Sequence, residues 1–74
     1  RGMNDMAAGT LQKALGKKEI MDDEKMDLHY QLGCVLHSMD RKEESIEQFK
    51  LIYERDIGYR DVSGRVDAYY ANLE

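Results

Sequence analysis

Apolar residues recur with a helical period along almost the whole chain, and the pattern divides into four amphipathic segments separated by short polar breaks. The first is predicted over Asp5 to Leu15, with Ala7, Leu11, Ala14 and Leu15 as its stripe and Met6 beside it. Asn4 or Asp5 is placed to accept the free amide hydrogens of its first turn, and Gly16 to take a left-handed cap. Gly9 in the middle costs up to ~1 kcal/mol relative to Ala. Lys17 to Asp22 reads as a polar connector around Ile20 and Met21. The second helix, Asp23 to Met39, puts Leu28, Leu32, Val35, Leu36 and Met39 on one broad face and starts with Asp23 and Glu24 at its positive end.

Asp40-Arg41 is too short a link for anything but an antiparallel hairpin with the third helix, Lys42 to Arg55. That helix presents Ile46, Phe49, Ile52 and Tyr53 at helical spacing. Asp56-Ile57-Gly58-Tyr59 reads as a turn in which Gly58 supplies positive φ. The fourth helix, Asp61 to Leu73, is expected to be capped by Asp61 and to bury Val62, Val66, Tyr69, Tyr70 and Leu73. No strand pair competes, so the fold class is all-α with about four helices.

Composition narrows the functional classes. A chain of 74 residues with 42% apolar and 35% charged side chains is one small globular domain, too short for a large internal cavity. One Cys excludes an internal disulfide, Pro and Trp are absent, and two His with one Cys make a poor metal cage. Eleven basic against fifteen acidic side chains leave a net charge of −4, which opposes nucleic-acid backbones and anionic membranes. No stretch has the length and apolarity of a membrane span, and the first residues are not a basic segment before an apolar core, so membrane insertion is not expected; nor, from the charge, is nucleic acid. The start at Arg1-Gly2-Met3 suggests a piece of a longer protein, and Leu73-Glu74 has the look of a cloning scar. The compartment is undetermined, with the cytoplasm slightly favoured over the periplasm.

Candidate chemistry is sparse. His29, Gly33, Cys34 and His37 share the second helix, and Cys34 and His37 lie at i, i+3, but a thiol nucleophile needs an activating environment and zinc needs further ligands. These residues read as packing or surface positions, and no cofactor, metal or catalytic residue is expected. Glu19, Asp22, Asp23, Glu24 and Asp27 lack the offsets of a calcium loop and read as a solvated connector with a helix cap. Tyr53, Tyr69 and Tyr70 fall on apolar stripes, whereas Tyr30 faces away from its stripe and is expected as an exposed contact.

Self-similarity adds more. Gly2, Ala7, Leu11 and Ala14 are spaced by 5, 4 and 3 residues, and Asp40, Ser45, Phe49 and Ile52 repeat those intervals 38 residues later. The run Leu28-His29-Tyr30-Gln31-Leu32-Gly33-Cys34-Val35-Leu36, followed by Asp40, Ser45, Phe49 and Asp56-Ile57, resembles the tetratricopeptide repeat, a helix-turn-helix unit of 34 residues. Leu32-Gly33 matches the family's Leu-Gly, Leu36 stands at the usual Tyr, Ser45 at the small Ala, and Phe49 at the Phe. His29 replaces the customary Trp, and Ile57 the closing Pro. Small residues at Gly33 and Ser45 imply a close helix approach, with Phe49 filling the gap beside them and Ile52 packing one turn on. The resemblance divides residues 1–74 into a second helix of a preceding repeat (1–16), a complete repeat (23–59) and a capping helix (60–74).

The family's fold implies antiparallel helix hairpins of an α-solenoid whose first helices line a concave groove. Carried onto this chain, the groove positions are Asp27, Tyr30, Cys34 and His37, with Gly64, Ala68 and Ala71 from the last helix. The implied function is non-enzymatic binding of a partner peptide or helix. Members that clamp an acidic chaperone tail use Lys and Asn where Tyr30 and Cys34 stand here, so an apolar or basic partner is expected instead. The alternative is homo-oligomerisation through an uncovered first helix, and a remote third reading is a metal or thiol site at Cys34 and His37.

Overall fold

The computed structural model describes residues 2–73 and contains helices α1 (Gly2–Gly16), α2 (Asp23–Ser38), α3 (Lys42–Arg55) and α4 (Val62–Ala71). Arg1, and the Glu74 of the Leu73-Glu74 pair, lie outside the described residues. The chain is all-α, with no strand among the described residues. Helices pack closely in chain order, α1 on α2, α2 on α3 and α3 on α4. The Cα envelope measures 34 × 30 × 15 Å, and its least dimension is about that of two helices packed at 8–10 Å.

Local signals explain most of the boundaries. Asp22 caps α2 with extended backbone, its carboxylate accepting the Lys25 amide at 2.9 Å. This N-terminal end is braced from the connector, where Lys18 reaches Asp22 at 3.2 Å and Glu24 at 2.6 Å, and Lys25 Nζ donates to the Lys18 carbonyl at 3.0 Å. At the other end of α2 the Asp40 amide donates to the His37 carbonyl and the Arg41 amide to the Leu36 carbonyl, both at 3.0 Å. With Asp40 at φ 62°, this is a Schellman motif built on aspartate instead of the usual glycine.

Several boundaries differ from the sequence pattern. Helix α1 starts at Gly2, so Asn4 and Asp5 lie inside it and cap nothing. Gly16 ends α1 in right-handed backbone, and no described glycine has positive φ. The same holds for Gly58: Asp56 fastens that turn by accepting the Gly58 amide on its carboxylate and the Tyr59 amide on its carbonyl, both at 3.1 Å. The left-handed residue of this loop is Arg60, at φ 45°. Helix α4 ends at Ala71, short of Leu73, and both Leu73 beyond it and Tyr70 within it are exposed instead of buried.

The α2–α3 hairpin is antiparallel, because early α2 residues meet late α3 residues: His29 Nδ1 donates to the Gln48 side-chain carbonyl at 2.7 Å, while Ser45 Oγ donates to the Gly33 carbonyl at 2.6 Å. The hairpin closes tightly there. A Cβ on Gly33 would lie 2.7 Å from both Cε1 and Cζ of Phe49, a separation that packed carbons do not tolerate. Leu32 and Leu36 turn toward α1 and join Ala8, Leu11 and Leu15. Met26 belongs to the second cluster with Ile46, Phe49, Ile52, Val62 and Val66. Helix α2 thus buries two faces, and Ala8 replaces the expected Ala7 as the fully buried alanine of α1.

Candidate functional site

Helices α2 and α4 both pack on α3 and not on each other, and a polar bridge of side chains spans them. The Tyr30 phenol donates to Asp61 Oδ1 at 2.7 Å, and Arg65 Nε donates to Asp61 Oδ2 at 3.1 Å. The Tyr30 ring stands edge-on to Phe49 at 5.5 Å and to Tyr59 at 6.2 Å. Arg60 lies over Tyr30 at 4.7 Å and Tyr59 at 5.1 Å while its Nη2 donates to Asp27 at 2.9 Å. Arg65 covers Phe49 at 5.1 Å. The hydrogen bond from Tyr30 holds the Asp61 carboxyl below its ordinary range, and the same bond, with partial burial, pushes the phenol up.

This bridge changes the roles read from the pattern. Tyr30 is half-buried, packed on the core and committed to Asp61, so it is not the exposed contact expected of it. Asp61 occupies the N-cap position of α4 but makes no side-chain cap, its oxygens being taken by Tyr30 and Arg65. Asp27 is held by Arg60 and by Gln31, whose Nε2 donates to its other oxygen at 2.7 Å.

Beyond the bridge, α2 and α4 separate around a cavity of about 370 Å³. Ile46 and Phe49 of α3 form its floor with Tyr69 of α4. His37 and Lys42 stand on one side, and Arg65, Ala68 and Asn72 on the other. Of the seven expected groove residues, His37 and Ala68 line this space and Ala71 does not. Asp27 and Tyr30 belong to the bridge, Cys34 is half-buried against the core, and Gly64 is exposed, with nothing within 4 Å of where a Cβ would stand on it.

Arg65, Lys42 and Asn72 are the lining residues that pattern reasoning missed. Only Arg65 left a signal, as the residue one turn before Ala68 and one turn after Asp61 on the same helix. Two other concavities flank the molecule. One, of about 610 Å³, has Glu43, Glu44 and Glu47 along α3, and the other, of about 480 Å³, lies between α1 and α2 beside Met3, Met6 and Val35. Among the described residues no group of three or more His, Cys, Asp or Glu side chains is arranged to hold a metal ion. No helix of the described residues is long and apolar enough to cross a membrane.

Comparison of the chain with family models, curated proteins and solved structures gave no match. Fold and site therefore define a four-helix all-α protein with one bridged, apolar-floored groove.

Proposed function

We propose that the chain is a non-enzymatic interaction module of tetratricopeptide-repeat type, which binds a peptide or helix of a partner protein between α2 and α4. The observation that carries this reading is the groove of about 370 Å³, open, floored by Ile46 and Phe49 and bordered by His37 and Ala68. The repeat assignment is supported by the clearance at Gly33, where the Phe49 ring occupies the space a side chain would need, and by Ser45 closing the hairpin onto the Gly33 carbonyl. Both residues stand at the family's small positions. The bridge of Tyr30, Asp61 and Arg65 pre-sets the distance between the two walls, so little ordering is needed on binding.

Ala68→Arg, at an exposed position, fills the groove without touching the core. Wild-type protein should retain a partner from source lysate that Ala68→Arg fails to retain, and equal retention by both would overturn the reading. A second reading, self-association, is favoured by the apolar surface on α1, where Met3 and Met6 are 80% and 73% exposed beside Leu11 and Val35. Sedimentation equilibrium separates the two: self-association requires a dimer that Met3→Ser with Met6→Ser dissolves, and a monomer at all concentrations removes it.

A further inference from the structure

Helix α1 has the side chains of an inner helix and the surroundings of an end one. Counted 38 residues back along the chain, Ser45 and Phe49 of α3 correspond to Ala7 and Leu11 of α1. Helix α3 packs against both α2 and α4, and Ser45 and Phe49 are each 1% exposed. Helix α1 packs on α2 alone, and Ala7 and Leu11 stay half-buried on the wall of the trough of about 480 Å³ between them. Val35 closes its far side, and Met3 and Met6 stand on its rim, 80% and 73% exposed. In a chain of which 35% is charged, none of the described residues lining this trough is.

The charges of α1 lie at opposite ends. Asp5 stands in its first turn and Lys13 in its last, with Lys17 just beyond, and all three are exposed. Neither Asp5 nor Lys13 belongs to an ion pair among the described residues. Arg41, which lies within the field of Asp5, is taken up by Glu44 through Nε at 2.8 Å and Nη2 at 2.7 Å, and Lys18 by Asp22 and Glu24.

From this we infer that α1 is covered by α1 of a second copy, antiparallel across a two-fold axis, each copy laying Met3 and Met6 into the other's trough. The inference deepens the self-association reading above and rests on it. A two-fold interface sets one patch against itself, so a charge at its centre would meet its own like, and this trough holds none. The patch is also self-complementary in shape, since unbranched thioethers on the rim fit an irregular hollow beside small Ala7. Charge fixes the direction. Antiparallel order turns Asp5 of each copy toward Lys13 and Lys17 of the other, whereas parallel order sets like on like. One face of a 15-residue helix, about 22 Å long and 10–12 Å wide, falls short of the ~800 Å² per partner of a stable interface, so the dimer forms and dissolves with concentration.

The test is a charge exchange. Sedimentation equilibrium from micromolar to millimolar chain, at about 50 mM salt so that exposed pairs are felt, should give monomer and dimer and nothing larger. Asp5→Lys and Lys13→Asp should each weaken the dimer about tenfold, because two symmetry-related pairs turn repulsive. A one-to-one mixture of the two variants should recover wild-type association, which a variant that had merely lost its helix would not do. Dilution of the 15N-labelled wild-type chain should move the amides of Met3, Met6, Ala7 and Val35. A dimer indifferent to either reversal, a mixture that recovers nothing, or shifts that fall elsewhere overturn the α1 pairing and leave self-association standing. Growth beyond the dimer does the same, as a head-to-tail stack of α4 on α1 would stay open. A wild-type chain that is monomeric throughout overturns both.

Discussion

Gly33→Ala would place a methyl carbon 2.7 Å from two ring carbons of Phe49, against a contact distance of about 3.5–4.0 Å. The ring must therefore retreat by about 1 Å. It has little room, since Phe49 is 1% exposed and is enclosed by Ile46, Ile52 and Met26. Overpacking of this kind costs about 1–3 kcal/mol, against which Ala returns up to about 1 kcal/mol of helix propensity. The expected net loss is roughly 1–2 kcal/mol, or a fall in Tm of about 5–15 °C for a domain of this size. Two controls isolate the cause. A methyl group at Gly9 or Gly64 meets nothing within 4 Å, so Gly9→Ala and Gly64→Ala should raise stability by up to about 1 kcal/mol. Urea denaturation followed by far-ultraviolet circular dichroism reads all three. Phe49→Leu costs a cavity in the wild type but should cost less in the Gly33→Ala background, giving a coupling of about 0.5–1 kcal/mol in the double-mutant cycle. A Gly33→Ala protein as stable as Gly9→Ala would refute the close-approach argument.

Asp40→Gly should stabilise the chain by about 0.5–1 kcal/mol, because glycine accepts the left-handed backbone at φ 62° and the change removes a negative charge from the carbonyl end of α2. Thermal denaturation checks the sign, and a drop in Tm would contradict the Schellman assignment. Tyr30→Phe should cost roughly 1 kcal/mol at neutral pH through the lost hydrogen bond to Asp61. Its pH dependence is more diagnostic. The lowered Asp61 pKa gives stability that is present above the ordinary carboxyl range and lost as acid protonates the folded state; the raised Tyr30 pKa gives stability lost as pH climbs past the ordinary phenol range. Stability curves of wild type and Tyr30→Phe should therefore converge at both extremes, and a difference independent of pH would exclude this bond as its source.

Helical periodicity was a reliable guide wherever one face of a helix alone decided burial. The bounds Lys42–Arg55 of α3 and the start of α2 at Asp23 follow from amphipathic spacing and from the polar residues that flank it. Glycine was a poor guide to turns. Gly16 and Gly58 have ordinary backbone, whereas Asp40 and Arg60 take the left-handed positions, because hydrogen bonds and packing around those residues outweigh their modest intrinsic cost. Tyr30 shows the limit for the site. Its partner Asp61 lies 31 residues away on another helix, and nothing in either local pattern distinguishes a phenol that faces water from one that fastens α2 to α4.

Sequence by itself determined the class of this protein, four helices in chain order, and marked Gly33, Ser45 and Phe49 as the tight point of the central hairpin, because side-chain size and helical period are local properties. Tertiary structure decided what the groove is. Which carboxylates are neutralised and how far apart the walls stand depend on pairs such as Asp27 with Arg60 and Tyr30 with Asp61. Those pairs arise only when distant segments are brought together, and electrostatic interaction depends on distance through space and not on separation along the chain.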